Sequence, residues 1–262
     1  MSENFFDNKL SRRWAFISGA TSGIGQATAK LLAKNQVSLI LNGRRRDRLE
    51  LLQKALSQET KVHIAAFDVS SRVECERALI QHEKQFAEVS VLVNNAGLAH
   101  GADPLHKAAV DDWEKMIDTN VKGVLYLTRM FLPFLEKNAS SHIVNIGSVA
   151  GRGVYPGGAV YCATKYAIAA LTEGLRMDLQ GKKIRVTNIA PGMVETEFSQ
   201  VRFKDADKAS AVYRGMTPLS GNDIAESIVW CLSRPANVNI QEMTIYPTDQ
   251  ASLYHVYRRE EN

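Results

Sequence analysis

The chain has 262 residues, 45% of them hydrophobic, enough to bury one sizeable core. Its 32 Lys and Arg against 28 Asp and Glu leave a net charge of +4, too small an excess for a nucleic-acid-binding face. Cys75, Cys162 and Cys231 stand far apart without a His neighbour, so neither a disulfide framework nor a metal site is expected.

Residues 1–13 lack the apolar stretch of a signal peptide and read as an N-terminal extension. No run approaches the roughly 18 apolar residues that cross a bilayer. A soluble, cytoplasmic protein without membrane or nucleic-acid partners is expected. Strand-length apolar runs fall at 14–17, 37–41, 62–67, 89–93, 142–146, 184–189 and 243–246. Helical patterns lie between them, at 26–34, 48–56, 113–135 and 159–179. Near-continuous apolar strands alternating with helices predict an α/β fold with a parallel sheet covered on both faces. No linker or repeat divides the chain, so residues 1–262 are read as one domain. The more polar segment 198–220 interrupts the rhythm and is expected to be a lid over a site.

The first strand runs into Ile17-Ser18-Gly19-Ala20-Thr21-Ser22-Gly23-Ile24-Gly25. Gly19 allows a tight exit from the strand, Gly23 admits a diphosphate close to backbone, and Gly25 lets helix and strand pack closely. Free N–H groups and the positive dipole end of the following helix favour an anion. At the end of the second strand, a carboxylate would select NAD by binding its ribose 2′-hydroxyl. This chain has Gly43-Arg44-Arg45 instead. Two guanidiniums there suit a 2′-phosphate, so NADP(H) is the expected cofactor. Asp68-Val69 closes the third strand, with Asp68 facing adenine or capping the next helix. Asn94-Asn95-Ala96-Gly97 closes the fourth, where small residues permit cofactor contact and the Asn pair joins strand ends.

Ser148 ends the fifth strand, and Tyr161 follows 13 residues later. Tyr161 and Lys165, at i and i+4, share one helix face. A free tyrosine is a poor base at neutral pH, and an adjacent ammonium stabilises its phenolate. Tyr161 with Lys165 is therefore the candidate acid/base for moving a proton on an alcohol or carbonyl oxygen. Ser148 is the candidate group that orients and polarises that oxygen.

In combination and order, Ser18 to Gly25, Asn94 to Gly97, Ser148, Tyr161 to Lys165 and Pro191-Gly192 resemble the short-chain dehydrogenase/reductase family over nearly the whole chain. The resemblance implies a single-domain, Rossmann-type, doubly wound sheet of about seven strands. It implies that Asn120 kinks its helix and holds a water that relays protons from Lys165. It also implies that Lys165 bonds the nicotinamide ribose, and that the stretch Pro191, Gly192, Val194 and Thr196 touches the nicotinamide. Three departures stand out. Ser18 replaces a Thr, Gly147 replaces a frequent Ser, and the last strand runs into Tyr246-Pro247-Thr248-Asp249-Gln250-Ala251-Ser252.

The match tightens around Ala96 to Ala99, His106 to Ala108, Asp112-Trp113, Met116 to Asn120, and Glu197-Phe198-Ser199 with Val201-Arg202-Phe203. These stretches resemble the NADP-dependent 3-hydroxy acid dehydrogenases of the family. That resemblance implies oxidation of serine, L-allo-threonine and 3-hydroxypropionate-type acids, reduction of the matching carbonyls including malonic semialdehyde, and a homotetramer. A 3-hydroxy acid brings a carboxylate that wants a cation. Arg202 in the lid is the candidate, its alternative being a solvated arginine, and Arg152 lies in the loop after Ser148. Tyr155 is a candidate apolar wall. Competing readings are a broad-range NADPH-dependent carbonyl reductase of the same family, an enzyme for bulkier substrates, and a cofactor-binding regulator without catalysis. The tail 248–262 either crosses to a neighbour or is disordered.

Overall fold

All seven expected strands form in the computed structural model, which describes residues 10–259. They are β1 (Trp14–Ile17), β2 (Ser38–Gly43), β3 (Val62–Ala66), β4 (Val89–Asn94), β5 (Ser141–Ile146), β6 (Ile184–Pro191) and β7 (Glu242–Ile245). The sheet is parallel throughout, in the order β3-β2-β1-β4-β5-β6-β7. Chain order reverses between β1 and β4, which opens a crevice at the carboxyl ends of these strands.

Alternate strand residues enter two separate cores. Ala15, Ile17, Leu39, Leu41, Val91 and Val93 face one side. There they meet α1 (Gly23–Lys34), α2 (Arg46–Leu56) and α10 (Gly221–Leu232). Phe16, Ile40, Leu92 and Ile143 face the other. They pack on α3 (Arg72–Gln81), α4 (Glu83–Phe86), α6 (Gly123–Leu135) and α7 (Ala159–Asp178). Phe131 of α6 is fully buried between Phe16 (4.6 Å between rings) and Phe86 (5.0 Å). Each such aromatic ring stabilises the fold by about 1.5–3 kcal/mol through burial.

The helix expected over 113–135 is not continuous. It begins as α5 (Val110–Ile117), passes through a π-turn (Asp118–Lys122), and resumes as α6. Two short helices, α8 (Glu197–Phe203) and α9 (Ala206–Ala211), lie within or at the start of the expected lid. A longer pattern was not available to them, because Lys204 turns left-handed at φ 51° and Asp205 caps a new helix.

Of the N-terminal extension, residues 10–13 are described. Leu10 is buried in the core, and Arg13 donates to Ser90 O and Ser140 O. The described part of the tail folds back on its own chain. Gln250 bridges Val256, Tyr257 N donates to Asp249 O, and Arg259 N donates to Gly215 O. Among the described residues, no helix is long and apolar enough to cross a membrane.

Candidate active site

The glycine loop is held by contacts that a side chain would destroy. A Cβ at Gly25 would lie 2.5 Å from Gly19 O, and one at Gly19 would lie 2.9 Å from Ala96 Cα. Ser18 clasps the loop to β4, its Oγ accepting from Asn95 N and Ala96 N at 3.0 Å. Asn95 returns the clasp, donating Nδ2 to Ser18 O at 2.8 Å and Gly19 O at 3.1 Å. Ser22 caps α1 without a side-chain cap bond, and no acidic residue occupies the first turn. The N–H groups and dipole of that turn thus remain suited to an anion.

The crevice is a cavity of about 640 Å³ that runs from this loop to Tyr161 and the lid. Gly19, Thr21, Ser22, Gly23, Ile24, Arg44, Arg45, Asp68, Val69, Asn95, Pro191, Gly192, Val194 and Thr196 all line it. Its helix N-terminus without a side-chain cap bond and its two guanidiniums fit an extended dinucleotide. Ala20 is the exception. It is fully buried in the core, with its N–H donated to Asn42 O at 2.8 Å, so it supports the loop without lining the cavity.

The four arginines after β2 are all paired. Arg44 lies 3.6 Å from Asp68 and Arg46 2.9 Å from Glu50, while Arg45 and Arg48 both reach Glu197. Asp68 does not cap α3. Ser71 does, and Asp68 Oδ1 instead accepts from Ser70 N and Oγ. Asn94 is structural, donating to Asn145 Oδ1 at 2.8 Å.

At the other end, Ser148, Tyr161 and Lys165 line one wall. Lys165 Nζ donates to Ile146 O at 2.9 Å and lies 5.8 Å from the Tyr161 ring centroid. Burial pushes the Lys165 ammonium down to about 8. Burial also raises the Tyr161 phenol well above its ordinary value, while a hydrogen bond with Ser148 and the charge of Arg202 oppose that rise. Burial thus outweighs the lowering expected of an adjacent ammonium, and Lys165 is not among the main groups that oppose the rise. The ammonium is engaged by a strand carbonyl, and desolvation of the phenol dominates.

Asn120 is buried behind the wall, inside the π-turn, and Thr119 lines the cavity in its place. Its Oδ1 accepts from Leu98 N and its Nδ2 donates to Leu98 O, both at 2.8 Å. Its Nδ2 also donates to Thr164 Oγ1 at 3.1 Å, and Thr164 Oγ1 donates to Tyr161 O at 2.7 Å. A π-turn re-aims one residue within a helix, and it falls at the residue for which the resemblance implies a kink. Gly147 has a local reason too: a Cβ there would lie 2.3 Å from Asn188 Oδ1.

Arg202 reaches the cavity from α8. Its Nη1 donates to Tyr155 Oη at 2.9 Å and its Nε to Gly101 O at 3.1 Å, and its guanidinium lies 6.0 Å from the Tyr161 ring centroid. Among the described residues no carboxylate pairs with it. Arg152 points elsewhere, to Glu242. Tyr155 is a wall with a polar tip rather than an apolar one. Sequence reasoning missed Phe198, whose ring lies 5.6 Å from that of Tyr161, and Gln250, which lines the cavity and accepts from Met193 N at 2.9 Å. Phe198 stands at the start of the expected lid and Gln250 in the stretch after the last strand, but neither position alone assigns its side chain a place in the site.

The profile of the short chain dehydrogenase family matches residues 13–207. An NADP-dependent 3-hydroxy acid dehydrogenase of Salmonella typhi is 44% identical over 237 residues, 90% of this chain and 95% of that protein. A sulfoacetaldehyde reductase of Chromohalobacter salexigens is 46% identical over the same length, covering 90% of this chain and 94% of that protein. A closed serine dehydrogenase complexed with NADP+ superposes with a TM-score of 0.88 at 40% identity, over 94% of this chain and all of that one. The chain belongs to the short-chain dehydrogenase/reductase family of oxidoreductases.

Proposed function

We propose that the chain is an NADP-dependent dehydrogenase of small 3-hydroxy acids, such as serine, L-allo-threonine and 3-hydroxypropionate, and a reductase of the matching carbonyls, malonic semialdehyde included. The chemistry that NADP(H) would supply when bound is the hydride, taken up in oxidation and given in reduction. The loop from Gly19 to Ile24 holds its diphosphate, and Arg44 and Arg45 hold its 2′-phosphate. Lys165 would bond the nicotinamide ribose, and Pro191 to Thr196 would hold the nicotinamide. Tyr161 Oη takes the proton of the substrate hydroxyl in oxidation and returns it in reduction. Ser148 Oγ orients the substrate oxygen. Asn120 acts as a positioning residue, fixing Leu98 and, through Thr164, the turn that carries Tyr161.

The observation that carries the substrate class is Arg202, a cavity-lining guanidinium near Tyr161 without a carboxylate partner among the described residues. It suits the acid group of a short substrate whose hydroxyl sits at Tyr161. Hydrogen bonds to a charged group contribute about 1.5–3 kcal/mol. Arg202→Ala is therefore expected to raise KM for a 3-hydroxy acid by roughly 10- to 100-fold. Reduction of a neutral ketone should change little. An unchanged KM for the acid would remove the carboxylate role and leave the broad carbonyl reductase reading.

A sulfonate suits the same guanidinium, and one relative at 46% identity is named for sulfoacetaldehyde. Comparing kcat/KM for malonic semialdehyde and sulfoacetaldehyde decides between the two anionic heads. The three buried thiols suit a cytoplasmic enzyme. A homotetramer is the working assembly we infer, with exposed Leu125 of α6 and with Tyr166 and Met177 of α7 as candidate contacts. Light scattering on the purified chain should give the mass of four copies, and a monomer mass would overturn this.

A further inference from the structure

Glu197 is the first residue of α8, directly after Thr196. Its carboxylate is shared by two arginines of the segment after β2. Arg45 Nη1 donates to Oε2 at 2.9 Å and Arg48 Nη1 donates to Oε1 at 2.6 Å. The rest of the Arg45 fork is also engaged. Its Nη2 donates to Thr21 Oγ1 at 2.8 Å and Ser22 Oγ at 3.0 Å, and its Nε to Thr21 Oγ1 at 3.2 Å. Every nitrogen of the Arg45 guanidinium thus has a partner.

A phosphate that uses Arg45 has to take donors from these partners. The hydroxyls of Thr21 and Ser22 can rotate and donate to the phosphate themselves. A carboxylate has no proton to offer and repels a phosphate. Burial raises the Glu197 pKa, but the hydrogen bonds and charges of Arg45 and Arg48 outweigh it, so the group is ionised. Glu197 is therefore the partner that must yield. It keeps Arg48 when it does, so its charge is not stranded.

We propose that Glu197 is the resident anion of the 2′-phosphate subsite: it holds Arg45 until the cofactor's phosphate displaces it, and thereby sets the affinity for NADP(H) relative to NAD(H). The inference rests on the assignment of Arg45 to that phosphate. The side chains of Arg45 and Glu197 are 40% and 38% exposed, so solvent screens the pair and its effect is modest. α8 is thereby anchored at the phosphate end by Glu197 and reaches the substrate end through Arg202.

Calorimetric titration of NADPH, NADH, 2′,5′-ADP and 5′-AMP into the wild-type chain, Glu197→Gln and Arg45→Ala tests this. Gln keeps the size of the side chain and can still accept from Arg48. Glu197→Gln is expected to bind NADPH and 2′,5′-ADP about three- to tenfold tighter, with NADH and 5′-AMP unchanged. Unchanged or weaker binding of 2′,5′-ADP overturns the proposal, and so does equal tightening of 5′-AMP. If Arg45→Ala leaves the NADPH-to-NADH affinity ratio unaltered, the subsite assignment itself is wrong and the proposal falls with it.

Discussion

Tyr161→Phe is expected to lower turnover about a thousandfold or more while leaving NADP(H) binding and folding nearly unchanged. The substitution removes one oxygen and keeps the ring that packs at 5.6 Å from Phe198. Two groups beside it, Ser148 and Lys165, are already engaged. Ser148 Oγ is 3.5 Å from Pro191 O and accepts from Ala150 N, and Lys165 Nζ is held by Ile146 O. The raised Tyr161 pKa keeps the phenol protonated before cofactor binds, ready to act as the acid in carbonyl reduction. Oxidation needs the opposite state, so its rate is expected to rise with pH while reduction does not. Steady-state rates in both directions, with a cofactor titration of the variant, check this. A variant retaining most of its activity would place the acid/base elsewhere.

Phe131→Ala is expected to destabilise the fold by about 3–5 kcal/mol, with a fall in Tm on the order of 10 °C. Phe131 is fully buried, and its ring meets Phe16 and Phe86 across the interface between β1, α4 and α6. Removing it leaves a cavity lined by rings that belong to two different elements, β1 and α4, and cannot both collapse inward. Denaturant unfolding measures the loss, and a change under about 1 kcal/mol would mean that the site relaxes. The effect should fall on stability and not on the cofactor selectivity that Arg45 and Glu197 govern.

Much of this architecture is readable in the chain. The strands announce themselves because both faces of a parallel sheet are buried, giving runs such as Val89 to Asn94 in which every residue is buried. The glycine loop and the pair Tyr161 and Lys165 are readable because their chemistry depends on short fixed spacings. What escaped depends on other things. The π-turn at Asn120 adds one residue to a helical turn and leaves the apolar periodicity of 113–135 nearly intact. Glu197 meets Arg45 across 152 positions, and no local pattern encodes such a pair. Ala20 sits inside the glycine loop, yet it is fully buried and its N–H is tied to Asn42 O, which the loop's spacing does not reveal. The Tyr161 pKa depends on burial and on neighbours such as Tyr155, Ser148 and Arg202, none of which spacing reveals. Gln250 enters the cavity through a tail whose polar composition resembles a disordered end.

Hydride transfer to NADP is read by following absorbance of the reduced nicotinamide as the purified chain meets NADP or NAD with L-serine, L-allo-threonine and 3-hydroxypropionate. A rise is expected with NADP on these hydroxy acids, much weaker with NAD, and absent in Tyr161→Phe. No rise with any of them, alongside NADPH oxidation by bulky ketones, would contradict the substrate class. NADPH binding without turnover of any carbonyl would contradict catalysis itself.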